Sequence, residues 1–307
     1  KEQLLKDFGR SKLEDYNSYI QNLGFNLNKL DETIKINKSR ILFEPEFSEY
    51  CGIMRVDDLY DDTKISSYLK TFEQKVFSIT QLELYAKCPF KYFIERVIKL
   101  SNIQTPTDDI EAFEFGSIIH EILFEFYFTL KKENIIFQGC DDATFKYGIK
   151  LIFKIAEKHC SESNLENPTS FLEKEKILGL NGKKEESILF KFLEEERKPS
   201  DFTPKYFEAS FGKFIDQAEP SEELQLEAIN INDIKLRGKI DRIELNENEK
   251  KFNVVDYKTG TGKVKIDELW KGISLQLPVY LFAAKEAIKN ILEKEFEPND
   301  AIIYSLK

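Results

Sequence analysis

The chain has 307 residues, 41% hydrophobic and 33% charged, with a net charge of −10. That length and apolar content suit one large domain or two smaller ones. The acidic balance argues against an extended nonspecific nucleic-acid surface, while leaving room for a local basic groove or for a bound metal that supplies the missing positive charge.

No run of 18 or more apolar residues occurs, and the first thirty residues carry no signal-peptide stretch, so an intracellular, cytoplasmic protein without a membrane partner is expected. Cys51, Cys88, Cys140 and Cys160 lie far apart with no CxxC pair. This spacing argues against a disulfide framework and a self-contained zinc site, and the cysteines read as free or buried thiols. The chain opens on Lys1 and stops at Tyr304-Ser305-Leu306-Lys307 while still reading as a strand, the pattern of a piece of a longer polypeptide.

In chain order, residues 1–75 carry charged helix-compatible patterns and then short segments around Pro45 and the Asp57-Asp58 and Asp61-Asp62 pairs. They read as a helical lead-in, like the tail of a preceding domain, and 76–307 as the main domain. At Ser78-Ile79-Thr80-Gln81 a capping box predicts a helix start. The stretch LELYAKCPFKYFIERVIKL then mixes Lys87, Lys91, Arg96 and Lys99 with Tyr85, Phe90, Tyr92 and Phe93. Cations beside aromatics suit single-stranded nucleic acid, and a core-packed helix with a solvated face is the plainer alternative.

From Phe115 to Lys132, the stripe Ile119, Ile122, Phe126, Leu130 predicts a helix. His120 stands one position off that stripe, with Gly116 one turn earlier leaving room for something to approach; by pattern alone such a histidine reads as a satisfied boundary residue rather than a ligand. His159 has no companion in the sequence and reads as structural. Residues 133–200 look mainly helical, ending at Lys198-Pro199-Ser200. The period then changes to two, predicting strands over 204–215, 223–230, 233–245 and 251–258, followed by a helix over 273–290 and a strand over 301–306.

The chemistry concentrates in IKLRGKIDRIELNENEKKFNVVDYK, residues 234–258. With Asn248 and Glu249 at a hairpin tip, Leu245 faces Phe252 and Ile243 faces Val254. The same register sets Asp241 opposite Asp256 and Lys239 opposite Lys258. The apolar phase slips by one near Asp241 and Arg242, which predicts a bulge. Like charges facing across a sheet are destabilising and call for a cation between them. Two readings satisfy this: a solvated cluster of Lys239, Arg242, Lys258 and both aspartates, or a hard divalent ion, magnesium or manganese. Lys258, two residues from Asp256 and on the same side, is placed to orient or deprotonate an attacking water and to steady charge on a phosphate. Gln276 and Tyr280, four apart on one helix face, read equally as support for that site or as ordinary polar boundary residues. The ending Gly-Thr-Gly-Lys, 260–263, is no phosphate loop, because Tyr257 and Val264 stand where a P-loop needs Gly and Ser or Thr.

The stretches SITQLELYAKCPFKYF, GSIIHEILFEFY, LRGKIDRIE, VVDYKTG and LQLPVYLFAAK, in this order from Ser78 onward, resemble the RecB-like branch of the PD-(D/E)XK nuclease superfamily, and most of all its AddB-type carboxy-terminal domains. The resemblance implies an α/β (mixed α+β) restriction-endonuclease-like core, a mixed central sheet flanked by helices. It implies divalent-metal-dependent hydrolysis of DNA, by exonuclease rather than endonuclease action on single-stranded ends, alongside a helicase–nuclease partner in bacterial recombinational repair. Carried over, His120, Asp241, Asp256 and the Tyr257 carbonyl are metal ligands, Lys258 is the catalytic lysine, and Gln276 and Tyr280 support the catalytic set. Glu208 falls where some relatives have an acidic residue. Cys88 matches the first ligand of the iron–sulfur cluster these domains often hold, but no cysteine follows Cys160, so the family's cluster cannot form within residues 1–307. A noncatalytic DNA-binding or scaffolding module of the same fold, and a CRISPR-associated or restriction-type nuclease, are the alternatives.

Overall fold

Alternating apolar residues favour strands within 203–211 and 225–258, and helical spacing shapes the described segments on either side. The computed structural model describes Ser67 and residues 70–72, 74–100, 112–163, 170–212, 225–260 and 266–306. The chain divides into two units, Lys1–Gln74 and Lys75–Lys307, and nearly all described residues belong to the second. Most of the lead-in, with Cys51, and residues 261–263 of the Gly-Thr-Gly-Lys stretch fall outside the described residues.

The elements are β1 (Val76–Ser78), α1 (Ile79–Lys87), α2 (Pro89–Tyr92), α3 (Ala112–Lys132), α4 (Asp142–Glu162), α5 (Phe171–Leu178), α6 (Ile188–Glu196), β2 (Thr203–Phe211), β3 (Gln225–Leu226), β4 (Ile229–Ile231), β5 (Ile234–Asn246), β6 (Lys251–Lys258), α7 (Ile266–Trp270), α8 (Gln276–Leu292) and β7 (Glu297–Ser305). The capping box opens α1 as expected: Gln81 N–H donates to Ser78 Oγ, and Ser78 N–H donates to Gln81 Oε1, both at 3.3 Å. The cationic and aromatic stretch after it is not one helix. Pro89 disfavours helical backbone at the preceding residue, so Cys88 is extended (φ −159°) and α2 starts afresh with Pro89 in its first turn.

Among the described residues seven strands form one mixed sheet, ordered β3-β2-β5-β6-β7, with β1 and β4 paired to the start of β5. The β2–β5 and β5–β6 ladders are antiparallel, and β6–β7 is parallel. Alternate strand residues feed two cores. Phe207, Val255 and Tyr257 pack with α3, α4 and α6, while Tyr206, Phe252 and Val254 pack with α8 and Ile79 of α1. The α3 stripe is fully enclosed, Ile119, Ile122 and Phe126 each being 0% exposed. Burial of such side chains stabilises the fold by about 1.5–3 kcal/mol apiece.

The hairpin register is the expected one, with Leu245 paired to Phe252 and Ile243 to Val254. Asn246 Oδ1 fixes the tip by accepting the N–H groups of Asn248 and Glu249. The phase slip at Asp241 is real, since Ile240 and Ile243 both enter the α8-side core. It is not a one-sided bulge. Phe207 faces α3 whereas Ala209 and Phe211 face α8, so β2 changes face at the same step and the β2–β5 register runs through unshifted there. The residue at that step on β2 is Glu208, with φ +51°, a left-handed conformation that a non-glycine residue adopts at a cost of roughly 1–3 kcal/mol.

Candidate active site

The shared change of face has a local consequence on β5 and β6. Their ladder ends at Arg242–Val255, one step short of the pair that would set Asp241 opposite Asp256. Where a backbone bond would continue it, Asp241 Oδ2 accepts the Tyr257 N–H at 2.7 Å. The strands part there, and helix α3 brings His120 to the opening. Its Nδ1 lies 3.3 Å from Asp241 Oδ1, and its Nε2 lies 3.2 Å from the Tyr257 carbonyl oxygen. Glu208 faces the same space. Ligand atoms of His120, Glu208 and Asp241 all lie within 4.8 Å of one another.

Asp256 lies beside this group, in a polar chain that ends on α8. Lys258 Nζ is 2.8 Å from Asp256 Oδ2 and 3.3 Å from Gln276 Oε1. The Gln276 amide donates to Asp256 Oδ1 at 2.8 Å and to the Tyr280 hydroxyl at 3.1 Å. One glutamine side chain therefore orients both the carboxylate and the lysine. Tyr280 can approach because Gly238 has no side chain: a Cβ there would meet the Phe211 ring at 2.6 Å and the Tyr280 ring at 3.2 Å.

Electrostatics follow from burial and crowding. Burial, and then the charge of Asp241, push the Asp256 carboxyl up to about 6, with Lys258 pulling the other way. Burial and Asp241 also raise Glu208, which Lys239 partly neutralises through an ion pair. For His120 burial acts to lower the pKa, but the hydrogen bond and charge of Asp241 outweigh it, so the imidazole stays protonated to higher pH than usual.

A helix, strand β2 and a split β-hairpin thus deliver a histidine, three carboxylates and a lysine to one opening, and helix α8 adds Gln276 and Tyr280. The family model described as the PD-(D/E)XK nuclease superfamily matches residues 76–307. The chain belongs to the PD-(D/E)XK nuclease superfamily. Its relatives include B subunits of the ATP-dependent helicase/deoxyribonuclease. That of Clostridium perfringens (strain SM101 / Type A) is 27% identical over 304 residues, covering 97% of this chain and 24% of that protein. The counterpart in Clostridioides difficile (strain 630) is 30% identical over 239 residues, 75% of this chain and 19% of that protein. The one from Carboxydothermus hydrogenoformans is 29% identical over 244 residues, 73% and 20%. The chain spans at most about a quarter of the length of these relatives.

In this nuclease-superfamily domain the mixed sheet flanked by helices is the expected fold. His120, Asp241, Asp256, the Tyr257 carbonyl, Lys258, Gln276 and Tyr280 come together, but with changed pairings. Lys239 does not face Lys258; it pairs with Ser210 on β2 and its ammonium goes to Glu208. Arg242 leaves the cluster altogether. The face switch turns it into the α3-side core, where it is 3% exposed and bound to Glu196 and Glu244. Glu208, marginal in the sequence, stands nearer to His120 and Asp241 than its position in KYFEASFG suggests, because its left-handed backbone re-aims it. At Gly116 an added Cβ would meet only the Thr259 side chain, at an ordinary 3.5 Å, so the glycine is not sterically required. His159 does have companions: its Nε2 is 2.8 Å from Glu125 and its Nδ1 3.4 Å from Glu121. Cys88 is an exposed free thiol whose Sγ accepts the Lys91 N–H at 3.4 Å. No helix among the described residues is long and apolar enough to cross a membrane.

Proposed function

We propose that the domain hydrolyses DNA phosphodiester bonds with magnesium or manganese, acting as an exonuclease on single-stranded ends supplied by a helicase partner in cytoplasmic recombinational repair. The observation that carries this reading is the convergence of His120, Glu208 and Asp241 next to Asp256 and Lys258. Carboxylate oxygens, a backbone carbonyl and one imidazole are the donors such hard ions take. His120, Asp241, Asp256 and the Tyr257 carbonyl would hold the ion, with Glu208 as a further carboxylate. When bound, the ion offsets phosphate charge and makes water acidic enough to attack near neutral pH. Lys258 contributes a fixed positive charge for the phosphate oxygens and an N–H donor that orients the attacking water, and Gln276 keeps its ammonium against Asp256. Tyr85, Phe90 and Trp270, all exposed aromatics, with Lys87 and Lys91 in the first segment, supply base-stacking and phosphate-binding groups suited to a single strand. The relatives' name, helicase/deoxyribonuclease, supports the DNA substrate and the partner.

The test is direct: with manganese the 307-residue chain should shorten end-labelled single-stranded DNA progressively from an end, and a chelator should abolish this. Cleavage that proceeds unchanged in the chelator, or no cleavage with either ion, would refute the reading.

Acid should weaken the ion's hold. Asp256, at about 6, takes up a proton between pH 7.5 and 5.5, and His120, raised by the hydrogen bond and charge of Asp241, holds its proton to higher pH than a free imidazole, so the ion must displace protons from both. Calorimetric titration of manganese is expected to show about tenfold or more weaker binding at pH 5.5 than at 7.5. Equal affinities at the two pH values would count against these ligands.

A further inference from the structure

Helix α8 carries Gln276 and Tyr280, yet its own sequence does not cap it. The residue at the cap position is Leu275, which has helical rather than extended backbone (φ −105°, ψ −12°) and makes no side-chain cap bond. Pro278 in the first turn has no N–H to satisfy. The amides of Leu275 and Gln276 do, and both donate to one oxygen from another element: Glu83 Oε1, at 2.7 Å and 3.1 Å. Glu83 lies on α1, 192 residues away in sequence from Leu275. The α1 helix is itself fixed by its capping box and by Ile79 and Leu82 in the α8-side core. A carboxylate at a helix N-terminus is stabilised both by the free N–H groups and by the helix dipole.

We infer that Glu83 is a positioning residue for the nuclease reaction: by clamping the start of α8 it fixes Gln276, and through Gln276 the Asp256–Lys258 pair. Gln276 is the residue directly held, and its side chain spans Asp256, Lys258 and Tyr280. A shift of α8 by a fraction of an ångström would part Gln276 from Asp256 and Lys258 together. The inference rests on the catalytic reading of Asp256 and Lys258 given above.

The experiment compares Glu83→Ala, Glu83→Gln, Gln276→Ala and the Glu83→Ala/Gln276→Ala double variant in the 307-residue chain. Glu83→Ala should speed amide exchange at Leu275 and Gln276. It should also lower kcat about tenfold with KM for DNA unchanged, while Glu83→Gln, which keeps the accepting oxygen, stays within about threefold of the parent. In the Gln276→Ala background, Glu83→Ala should cost nothing further, as residues acting through one another require. Exchange unchanged in Glu83→Ala would overturn the inference. So would losses that multiply in the double variant, the result a general loss of stability gives. If the parent chain cleaves no DNA, the proposed function fails, and exchange at Leu275 and Gln276 still decides whether Glu83 holds the helix.

Discussion

Lys258→Ala is expected to lower the rate of DNA cleavage about 10²- to 10³-fold at saturating substrate and metal, the usual cost of removing one charge-stabilising or proton-handling group. The fold should survive, because the Lys258 side chain is 38% exposed and the change leaves no cavity in either core. Lys258→Arg should not restore the rate: a planar fork cannot replace a compact ammonium held between Asp256 Oδ2 and Gln276 Oε1. A second signature separates this role from a general loss of activity. Burial and the charge of Asp241 raise Asp256, and Lys258 opposes them, so its removal lets the Asp256 carboxyl climb above about 6. The acid limb of the residual activity should therefore move to higher pH. Cleavage at the parent rate in Lys258→Ala, over a full pH profile, would remove Lys258 from the mechanism.

Much of this site is legible from residues close in sequence, and what is not has a specific physical cause. The β5–β6 hairpin can be registered because apolar alternation and a polar tip leave one pairing that buries both Ile243–Val254 and Leu245–Phe252. The slip between Ile240 and Ile243 is visible as well. Its form is not, since the switch is shared with β2 and turns on the left-handed backbone of Glu208, which no side-chain pattern announces. That one step explains the misplacements: Arg242 goes to the opposite face, Lys239 goes to Glu208, and Glu208 moves toward His120 and Asp241. The break at Cys88 has a signal in Pro89, which forbids what the surrounding helix pattern suggests. Glu83 has no local signal, because its partners' need arises only where α8 meets α1.

The buried base of the site should prove as sensitive as its chemistry. Arg242 Nη1 is 2.7 Å from the Tyr127 hydroxyl and 2.9 Å from Glu196 Oε2, and Nη2 is 2.8 Å from Glu244 Oε1. Its guanidinium also lies over the rings of Tyr127, Tyr257 and Tyr304 at 5.4, 5.5 and 5.8 Å. Glu196 and Glu244 are 6% and 7% exposed, so Arg242→Met would strand two carboxylates away from water. Removing one partner of a buried ion pair costs about 3–5 kcal/mol, and that loss is expected in the urea midpoint at pH 8. The sign of its pH dependence follows from Glu244, which burial already raises while Arg242 holds it down. Without the arginine its folded-state pKa rises further above the unfolded value. Protonation on folding then relieves the strain in acid, so the deficit should narrow from pH 8 to pH 5. Arg242→Met combined with Glu196→Gln and Glu244→Gln should recover most of the loss, since what is costly is the unpaired charge and not the missing pair. An unchanged midpoint in the single variant would show that the network carries no stability. The network adjoins the candidate active site through Tyr257, whose ring packs against this guanidinium and whose backbone meets Asp241 and His120 on its other side.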